Sequence, residues 1–378
     1  MAGYVFAIGS GVAAPEVLIK ECVEKGVYST FIKTTSAVPF EGTLADYISM
    51  KPGDNIYFFC KRKYYGVGEL VAVGPDCKYC NYPSAGTPKT EQYDAIKDQL
   101  LVDYGEKSGH YRWICTFKGS PYFFKRGIDT DEILTYKPNT FRMLRAFWKV
   151  SFIKLGDEEN ASMKEIFLLR HQEEIANQTG IFCTQTATHD AIRQKVDSDY
   201  TISTHGILAN CTDGDFIKHE MALEAASIEA IASEMIPELG HWDYVSHQVI
   251  ASPFKPIDYM DKIDIFAYRY LKGTKIPCKY LVAELKRGPA DADTVDQVMK
   301  YVDWVCQEYT YGDYGAIEAC IIAFEYPDDI GTYVAQNARR NYTQGSHPIQ
   351  NLEWRALRLF SYKYCDGKVV YADETPEI

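Results

Sequence analysis

The 378-residue sequence contains no long hydrophobic run. Hydrophobic residues make up 46% of it, yet no stretch approaches the roughly 18 uninterrupted apolar residues that a membrane-spanning helix needs. Residues Met1 to Ser10 lack the basic segment of a secretory signal. We therefore expect a protein with no membrane partner and a cytoplasmic location.

The sequence has little that would bind a transition metal. Among its 11 cysteines, only Cys77 and Cys80 have the spacing of a metal-binding pair. A structural zinc site needs four ligands, and the nearest further candidates are Cys60 and His110. We expect reduced thiols, and the sequence leaves open whether Cys77 and Cys80 bind a metal.

Several catalytic motifs are also absent. No HExxH pair, Gly-x-Ser-x-Gly elbow or phosphate-binding Walker loop occurs. These absences exclude the zincin, α/β-hydrolase and P-loop classes.

Basic charge is scarce as a whole and unevenly distributed. The net charge of −12 argues against indiscriminate binding of nucleic acid. Residues 1–172 hold 22 basic and 20 acidic residues, a net +2, whereas residues 173–378 hold 18 and 32, a net −14. This asymmetry predicts two units with different roles. We expect a first domain over 1–172, a linker over 173–211 and a second domain over 212–378.

The first domain is predicted to be a mixed α+β unit with a curved, largely antiparallel sheet. Its opening strand Tyr4–Ile8 precedes a helix, the run Lys-Pro-Gly-Asp-Asn-Ile-Tyr-Phe-Phe at 51–59 and the run Tyr-Tyr-Gly-Val-Gly-Glu-Leu-Val at 64–71. This order resembles the PUA-like superfamily, in particular EVE-type modules. The resemblance implies a pocket that holds a nucleobase between aromatic rings, the stacking that an extruded base requires.

The rings that would line this pocket are Tyr64, Tyr65, Trp113 and Trp148. The alternative is that they belong to the core, because alternating aromatic residues on a strand usually bury one face of the sheet.

The second domain carries a carboxylate–carboxylate–lysine pattern. Residues 262–270 read as a strand containing Asp264, and residues 280–286 read as a second strand. Alternate side chains of a strand share a face, so Glu284 and Lys286 point the same way. The following helix, 293–304, carries Gln297, and we expect Asp293 to be its N-cap.

Two carboxylates and a lysine are costly to bury without a function. They suit Mg²⁺, which prefers carboxylate oxygens together with phosphate oxygens and water. We expect Asp264 and Glu284 to bind the cation. Lys286 would hold the attacking water, help to deprotonate it and neutralise charge beside the phosphate.

The same pattern resembles the PD-(D/E)xK nuclease superfamily. Within it, Ala-Glu-Leu-Lys-Arg at 283–287 and the helix pattern Val-x-Gln-x-x-x-Tyr-Val at 295–302 are similar to the endonuclease NucS group. The resemblance implies a restriction-endonuclease-like α/β sandwich with a central mixed sheet. It implies the catalytic positions Asp264, Glu284, Lys286, Gln297 and Glu224, with Glu220 as the alternative to Glu224. The metal positions that it implies are Asp264, Glu284 and Leu285.

These features together predict a Mg²⁺-dependent DNA endonuclease, with Mn²⁺ as a substitute cation. The expected substrate is double-stranded DNA, and the first domain would direct cleavage to modified bases, as in restriction and antiviral defence. Two alternatives stay open: a repair nuclease for mismatched or branched DNA, and a defence nuclease gated by a small ligand. A homodimer is compatible with this prediction, because a duplex has two strands to cut.

Overall fold

The computed structural model describes residues 2–8, 15–32, 44–87, 90–141, 152–251 and 261–376. The chain mixes helices with several mixed β-sheets and divides into two compact units, Met1–Ser203 and Thr204–Ile378. No helix in the described ranges is both long enough and apolar enough to cross a membrane.

Unit 1 is built around an eight-stranded sheet with the central order β2-β6-β4-β3-β1-β9, to which β5 and β8 add at β6 and β4. Strands β1 and β3 pair in parallel and the other described pairs of this sheet are antiparallel, which confirms a largely antiparallel sheet. The elements are β1 (Gly3–Ala7), α1 (Pro15–Lys25), β2 (Val27–Phe31), α2 (44–49), β3 (Asn55–Cys60), β4 (Lys63–Leu70), β5 (Lys78–Cys80), α3 (Tyr93–Ile96), β6 (Tyr111–Gly119), β7 (Phe123–Phe124), β8 (Ile128–Asp129), α4 (Thr130–Tyr136), β9 (Phe152–Leu155), α5 (Asp157–Arg170), α6 (Gln172–Asn177), β10 (Ile181–Phe182) and α7 (Ala187–Lys195).

Unit 2 is built around a six-stranded mixed sheet with the order β13-β14-β15-β16-β19-β20. Strands β15, β16 and β19 run parallel, and the outer pairs are antiparallel. The elements are α8 (Thr204–Leu208), β11 (Thr212–Asp213), β12 (Phe216–Ile217), α9 (Glu220–Ala232), β13 (Tyr244–Ile250), β14 (Lys262–Tyr270), β15 (Pro277–Pro289), α10 (Ala292–Glu308), β16 (Ile317–Glu325), α11 (Ile330–Asn337), β17 (Arg340–Gln344), β18 (Gln350–Trp354), β19 (Leu357–Cys365) and β20 (Lys368–Asp373).

The central strands of this sheet are apolar because both of their faces are covered. Helices α9 and α10 pack against β15, and residues 281–283 of that strand are fully buried. Helix α10 presents Val295, Val298 and Val302 to the sheet, the one-turn spacing of an amphipathic helix. Its N-cap is Asp291, which accepts a hydrogen bond from the Thr294 N–H at 3.1 Å. The expected cap at Asp293 was wrong by two residues, because Ala292 already has helical geometry.

The predicted linker over 173–211 is wrong, because this segment is folded into the two units. Strand β10 pairs with β7, and Ile192 of α7 is completely buried in the core of unit 1. The boundary lies at residues 203 and 204, so α8 belongs to unit 2. The segment is polar because its short helices lie on the surface and bury few side chains.

Candidate active site

The candidate site lies where strands β14 and β15 separate. Their antiparallel ladder ends at the pair Ile265 and Ala283. Continuing the register places Asp264 opposite Glu284, but here the backbone N–H of Leu285 donates to the Asp264 Oδ2 atom at 2.9 Å. A side chain thus replaces a main-chain acceptor, and two acidic residues meet at the opening.

Glu284 and Lys286 share a face of β15, as the strand periodicity predicts. Lys286 Nζ donates to Glu284 Oε1 at 2.6 Å, with the Glu284 side chain 2% exposed and the Lys286 side chain 29% exposed. No nitrogen or hydroxyl donor in the described part of the chain reaches Glu284 Oε2. The Asp264 carboxyl lies close enough to Glu284 for the two groups to share a proton. One oxygen of this buried carboxylate therefore needs a proton or a cation.

Electrostatics at the site follow from burial and crowding. Desolvation, followed by the charges of Glu284 and Glu224, raises the pKa of Asp264 well above its ordinary value. Desolvation also raises the pKa of Glu284, although Lys286 opposes that shift. Burial lowers the pKa of Lys286, but the hydrogen bond and charge of Glu284 outweigh it, so the net direction is upward. Lys286 is therefore an ammonium ion at neutral pH.

Helix α9 brings Glu224 into the cluster. Glu224 is buried, and its Oε1 atom contacts His247 Nδ1 at 3.2 Å and accepts from Gln248 Nε2 at 3.0 Å. Gln248 Nε2 also lies 3.4 Å from Asp264 Oδ1 and so connects the two acidic side chains. Glu220 is exposed one turn earlier, and its charge raises the pKa values of Asp264, Glu284 and Lys286. Both candidate glutamates thus act on the cluster, and Glu224 is in contact with it.

Sequence reasoning missed His247 and Gln248. Both lie on β13, which carries no acidic residue and matches none of the motifs considered above. The available signal was the run Ser-His-Gln at 246–248, three polar residues inside an otherwise apolar strand.

Helix α10 contributes Gln297 through a neighbour on the same helix. Gln297 Nε2 donates to the Tyr301 hydroxyl oxygen at 2.8 Å. The two residues are four positions apart and are therefore neighbours on the helix surface. Burial, with further contributions from Glu284 and Asp264, raises the pKa of Tyr301. The hydroxyl therefore stays protonated and lies within the electrostatic field of the two carboxylates.

The metal positions fit a hard divalent cation through mixed donors. In the described ranges no group of three or more His, Cys, Asp and Glu side chains has an arrangement that would hold a metal ion. Asp264 and Glu284 supply two carboxylates, and Glu284 Oε2, which no nitrogen or hydroxyl donor of the described residues reaches, offers a buried oxygen. The N–H of Leu285 points towards β14, so its carbonyl faces the same opening. Oxygen donors of this kind, few enough to leave room for water, suit Mg²⁺.

Three of the four predicted ring residues lie in the interior of unit 1. Tyr64 and Tyr65 are 1% and 4% exposed, and Trp113 is fully buried. Tyr64 belongs to a hydrophobic cluster with Val5 and Tyr57, and the Trp113 ring packs 5.5 Å from Tyr47. This packing favours the core alternative for the three rings and does not support their assignment to substrate binding. Trp148 lies outside the described residues.

The paired cysteines of unit 1 show the features of structural thiols. Burial raises the pKa of Cys77 to about 12 and that of Cys80 to about 11. In the metal-free protein each is therefore a protonated thiol at neutral pH.

Comparisons with known proteins show little similarity. No family model matches the chain, and no curated protein matches it. A solved structure that does match is that of a hypothetical protein from Leishmania major. It is 13% identical, over 47% of this chain and 97% of that chain, with a TM-score of 0.29. A likeness this distant carries no argument about fold or activity.

Proposed function

We propose that this protein is a divalent-cation-dependent endonuclease that hydrolyses phosphodiester bonds of DNA, with its catalytic residues in unit 2. The order α9, β13, β14, β15, α10, β16 supports the resemblance to PD-(D/E)xK nucleases, because Glu224, Asp264, Glu284, Lys286 and Gln297 all lie on these elements. The observation that carries the proposal is the opening between β14 and β15. Asp264 and Glu284 face each other there, and no nitrogen or hydroxyl donor of the described residues reaches Glu284 Oε2.

The donor set fits Mg²⁺, which when bound would acidify a water and offset charge on the phosphate. Asp264, Glu284 and the Leu285 carbonyl would hold the ion. Lys286 is protonated, so it would orient the attacking water and neutralise charge that develops on a phosphate oxygen. This assigns Lys286 an electrostatic role and leaves proton removal to a group of lower pKa.

Recognition of DNA is assigned to unit 1. Unit 2 holds 16 basic and 27 acidic residues, a net −11, whereas unit 1 holds 24 and 25. A strongly acidic unit repels the phosphate backbone, so affinity must come from contacts elsewhere. We propose that unit 1 supplies them and reads modified bases, with residues other than the three buried rings.

Cleavage of paired DNA duplexes tests the proposal. One duplex is unmodified and the other carries modified cytosines, and each is incubated with Mg²⁺ and the wild type or Lys286→Ala. Lys300→Ala is the matched control, because Lys300 is exposed on α10. We expect cutting of the modified duplex by the wild type and the control, and loss of cutting in Lys286→Ala.

Each alternative result has a separate meaning. Equal cutting of both duplexes would keep the nuclease and reject the modified-base reader. Undiminished cutting by Lys286→Ala would reject the proposed active site. No cutting of these duplexes or of mismatched and branched ones would reject the nuclease.

A further inference from the structure

Gln248 has a backbone conformation that strand residues rarely adopt. Its φ angle is +52°, in the left-handed region that disfavours residues with a side chain, although it lies inside β13. A non-glycine residue held in this region marks a position where the surrounding structure imposes the conformation. The hydrogen bonds of the Gln248 side chain indicate the role of this position.

The pairing of β13 with β14 is interrupted at this residue. His247 pairs with Ile265 and Val249 pairs with Ile263, but the intervening Gln248 and Asp264 are not paired. The register is the same on both sides of this gap, so Gln248 remains opposite Asp264.

The interruption lets two consecutive residues reach one acceptor. Neighbouring side chains on a regular strand point to opposite faces. Here His247 Nδ1 and Gln248 Nε2 both lie within 3.2 Å of Glu224 Oε1. Gln248 lies opposite Asp264 in the register of the sheet, and its amide reaches both Glu224 and Asp264.

The amide suits this position because it is neutral. Its two N–H groups can donate to Glu224 Oε1 at 3.0 Å and to Asp264 Oδ1 at 3.4 Å. A lysine or arginine here would also orient both carboxylates, but its charge would compete with a bound cation. A glutamine fixes the two acidic side chains and leaves their negative charge in place.

We propose that Gln248 is a positioning residue that holds Glu224 and Asp264 in the arrangement that binds the divalent cation. The inference rests on the proposed function for the identity of the site. It goes beyond that function because it makes the affinity for the cation depend on the uncharged amide of Gln248, which contacts both carboxylates from β13. Such a residue would act through the carboxylates and not by contact with the substrate.

The test measures cation binding by the full chain without relying on cleavage. The thermal midpoint of metal-free protein is followed while Mn²⁺ is added, because a ligand that binds only the folded state raises it. Gln248→Gly removes the amide and tolerates the left-handed backbone, so the metal-free midpoint should stay equal or rise. The Mn²⁺ concentration for half of the midpoint shift should increase about 10-fold, the usual cost of losing a group that orients metal ligands.

Two further variants separate positioning from a structural role. Gln178→Gly is the matched control, because Gln178 also has φ +52° and lies at the end of α6 in unit 1. Its Mn²⁺ response should equal that of the wild type. Gln248→Asn keeps an amide in a residue that tolerates this region, so it should restore part of the Mn²⁺ affinity.

The outcomes distinguish a positioning role of Gln248 from a purely structural one, and both from a failure of the proposed nuclease activity. An unchanged Mn²⁺ response in Gln248→Gly, or a lower metal-free midpoint with an unchanged response, would overturn the positioning role. A wild type whose midpoint does not respond to Mn²⁺ would overturn it as well. A wild type that responds to Mn²⁺ but cuts no DNA, with the response weakened in Gln248→Gly, would reject the nuclease and support the role of Gln248.

Discussion

Glu284 and Lys286 lie two residues apart on β15, and the lysine satisfies only one oxygen of the glutamate. Lys286 Nζ donates to Oε1 at 2.6 Å, while Oε2 has no nitrogen or hydroxyl donor in the described chain. A buried ion pair designed for stability alone would satisfy both oxygens, because an unpaired buried acceptor is costly. The half-satisfied carboxylate, facing Asp264, instead suits a site completed by a bound cation.

Replacing Asp264 by asparagine should stabilise the metal-free protein. The side chain is desolvated beside Glu284 and Glu224, which raises its pKa, and asparagine can still accept the hydrogen bond from Leu285. Because a raised pKa means that ionisation of this carboxyl group costs free energy in the folded protein, we expect the free energy of unfolding to increase. Urea unfolding with a chelator at pH 7 measures this change.

Asp293→Asn is the control for that experiment. Asp293 is exposed on the first turn of α10, so its replacement removes the same charge without relieving burial. Its stability should stay equal or decrease slightly, since a carboxylate is favourable at a helix N-terminus. A loss of stability in Asp264→Asn would show that the carboxylate is satisfied without a cation.

Replacing Tyr301 by phenylalanine should reduce cleavage with little effect on folding. Gln297 donates to the Tyr301 hydroxyl, so the variant removes the acceptor that holds the Gln297 amide. We expect a decrease in kcat of between about 10- and 100-fold, the range for a misplaced active-site group. Tyr333→Phe is the control: it removes a hydroxyl of α11 that donates to Asp296 of α10, and it should keep wild-type kcat. Equal rates for the two variants would contradict a role for Gln297.

The sequence predicted the elements of unit 2 well because their patterns are local. The alternation Glu-Leu-Lys at 284–286 of β15 and the one-turn valine spacing of α10 identify both elements and place Glu284, Lys286 and Gln297 on them. The face-to-face approach of Asp264 and Glu284 depends on the register of β14 against β15 across the loop 271–276, which local patterns do not specify. The role of Gln248 depends on its contacts with Glu224 of α9 and Asp264 of β14, and local patterns do not specify contacts between elements.

The sequence of unit 1 does not specify the role of its aromatic residues, because aromatic residues on strands suit both a core and a binding pocket. Neither the composition nor the spacing of Tyr64 and Trp113 separates these roles. Burial does, since both side chains are within 1% of full burial. The segment 173–211 raised the opposite problem, because surface helices that bury no more than three side chains have the polar composition of a linker.

Replacing Trp113 by alanine should destabilise unit 1 and not only weaken recognition of DNA. The ring is fully buried against Tyr47, and removing it leaves a large cavity. We expect the free energy of unfolding to decrease by about 3–5 kcal/mol. Phe31→Ala is the control, because Phe31 is 47% exposed and its loss should cost far less. A variant at Trp113 that stays as stable as the wild type but no longer prefers modified DNA would restore the pocket assignment.

The stability of unit 1 should depend on pH through Lys154 of β9. Burial lowers the pKa of this ammonium group from 10.5 to about 8, although the charges of Asp54 and Asp46 oppose the shift. Between about pH 8 and 10.4 the unfolded chain binds more protons at this site than the folded chain, so this group makes stability rise with pH in that window. Lys154→Met should therefore be more stable than the wild type at pH 7, by at most about 3 kcal/mol.

That advantage of Lys154→Met should shrink as the pH approaches 10, because the wild-type lysine then becomes neutral. Urea unfolding at pH 7, 8.5 and 10 for the two proteins measures the difference, in which other titrating groups cancel. Lys118→Met is the matched control on β6, where the side chain is 57% exposed and its charge stays hydrated. A constant difference between Lys154→Met and the wild type across the three pH values would mean that Lys154 keeps its proton in the folded protein, and that Asp54 and Asp46 fully offset its burial.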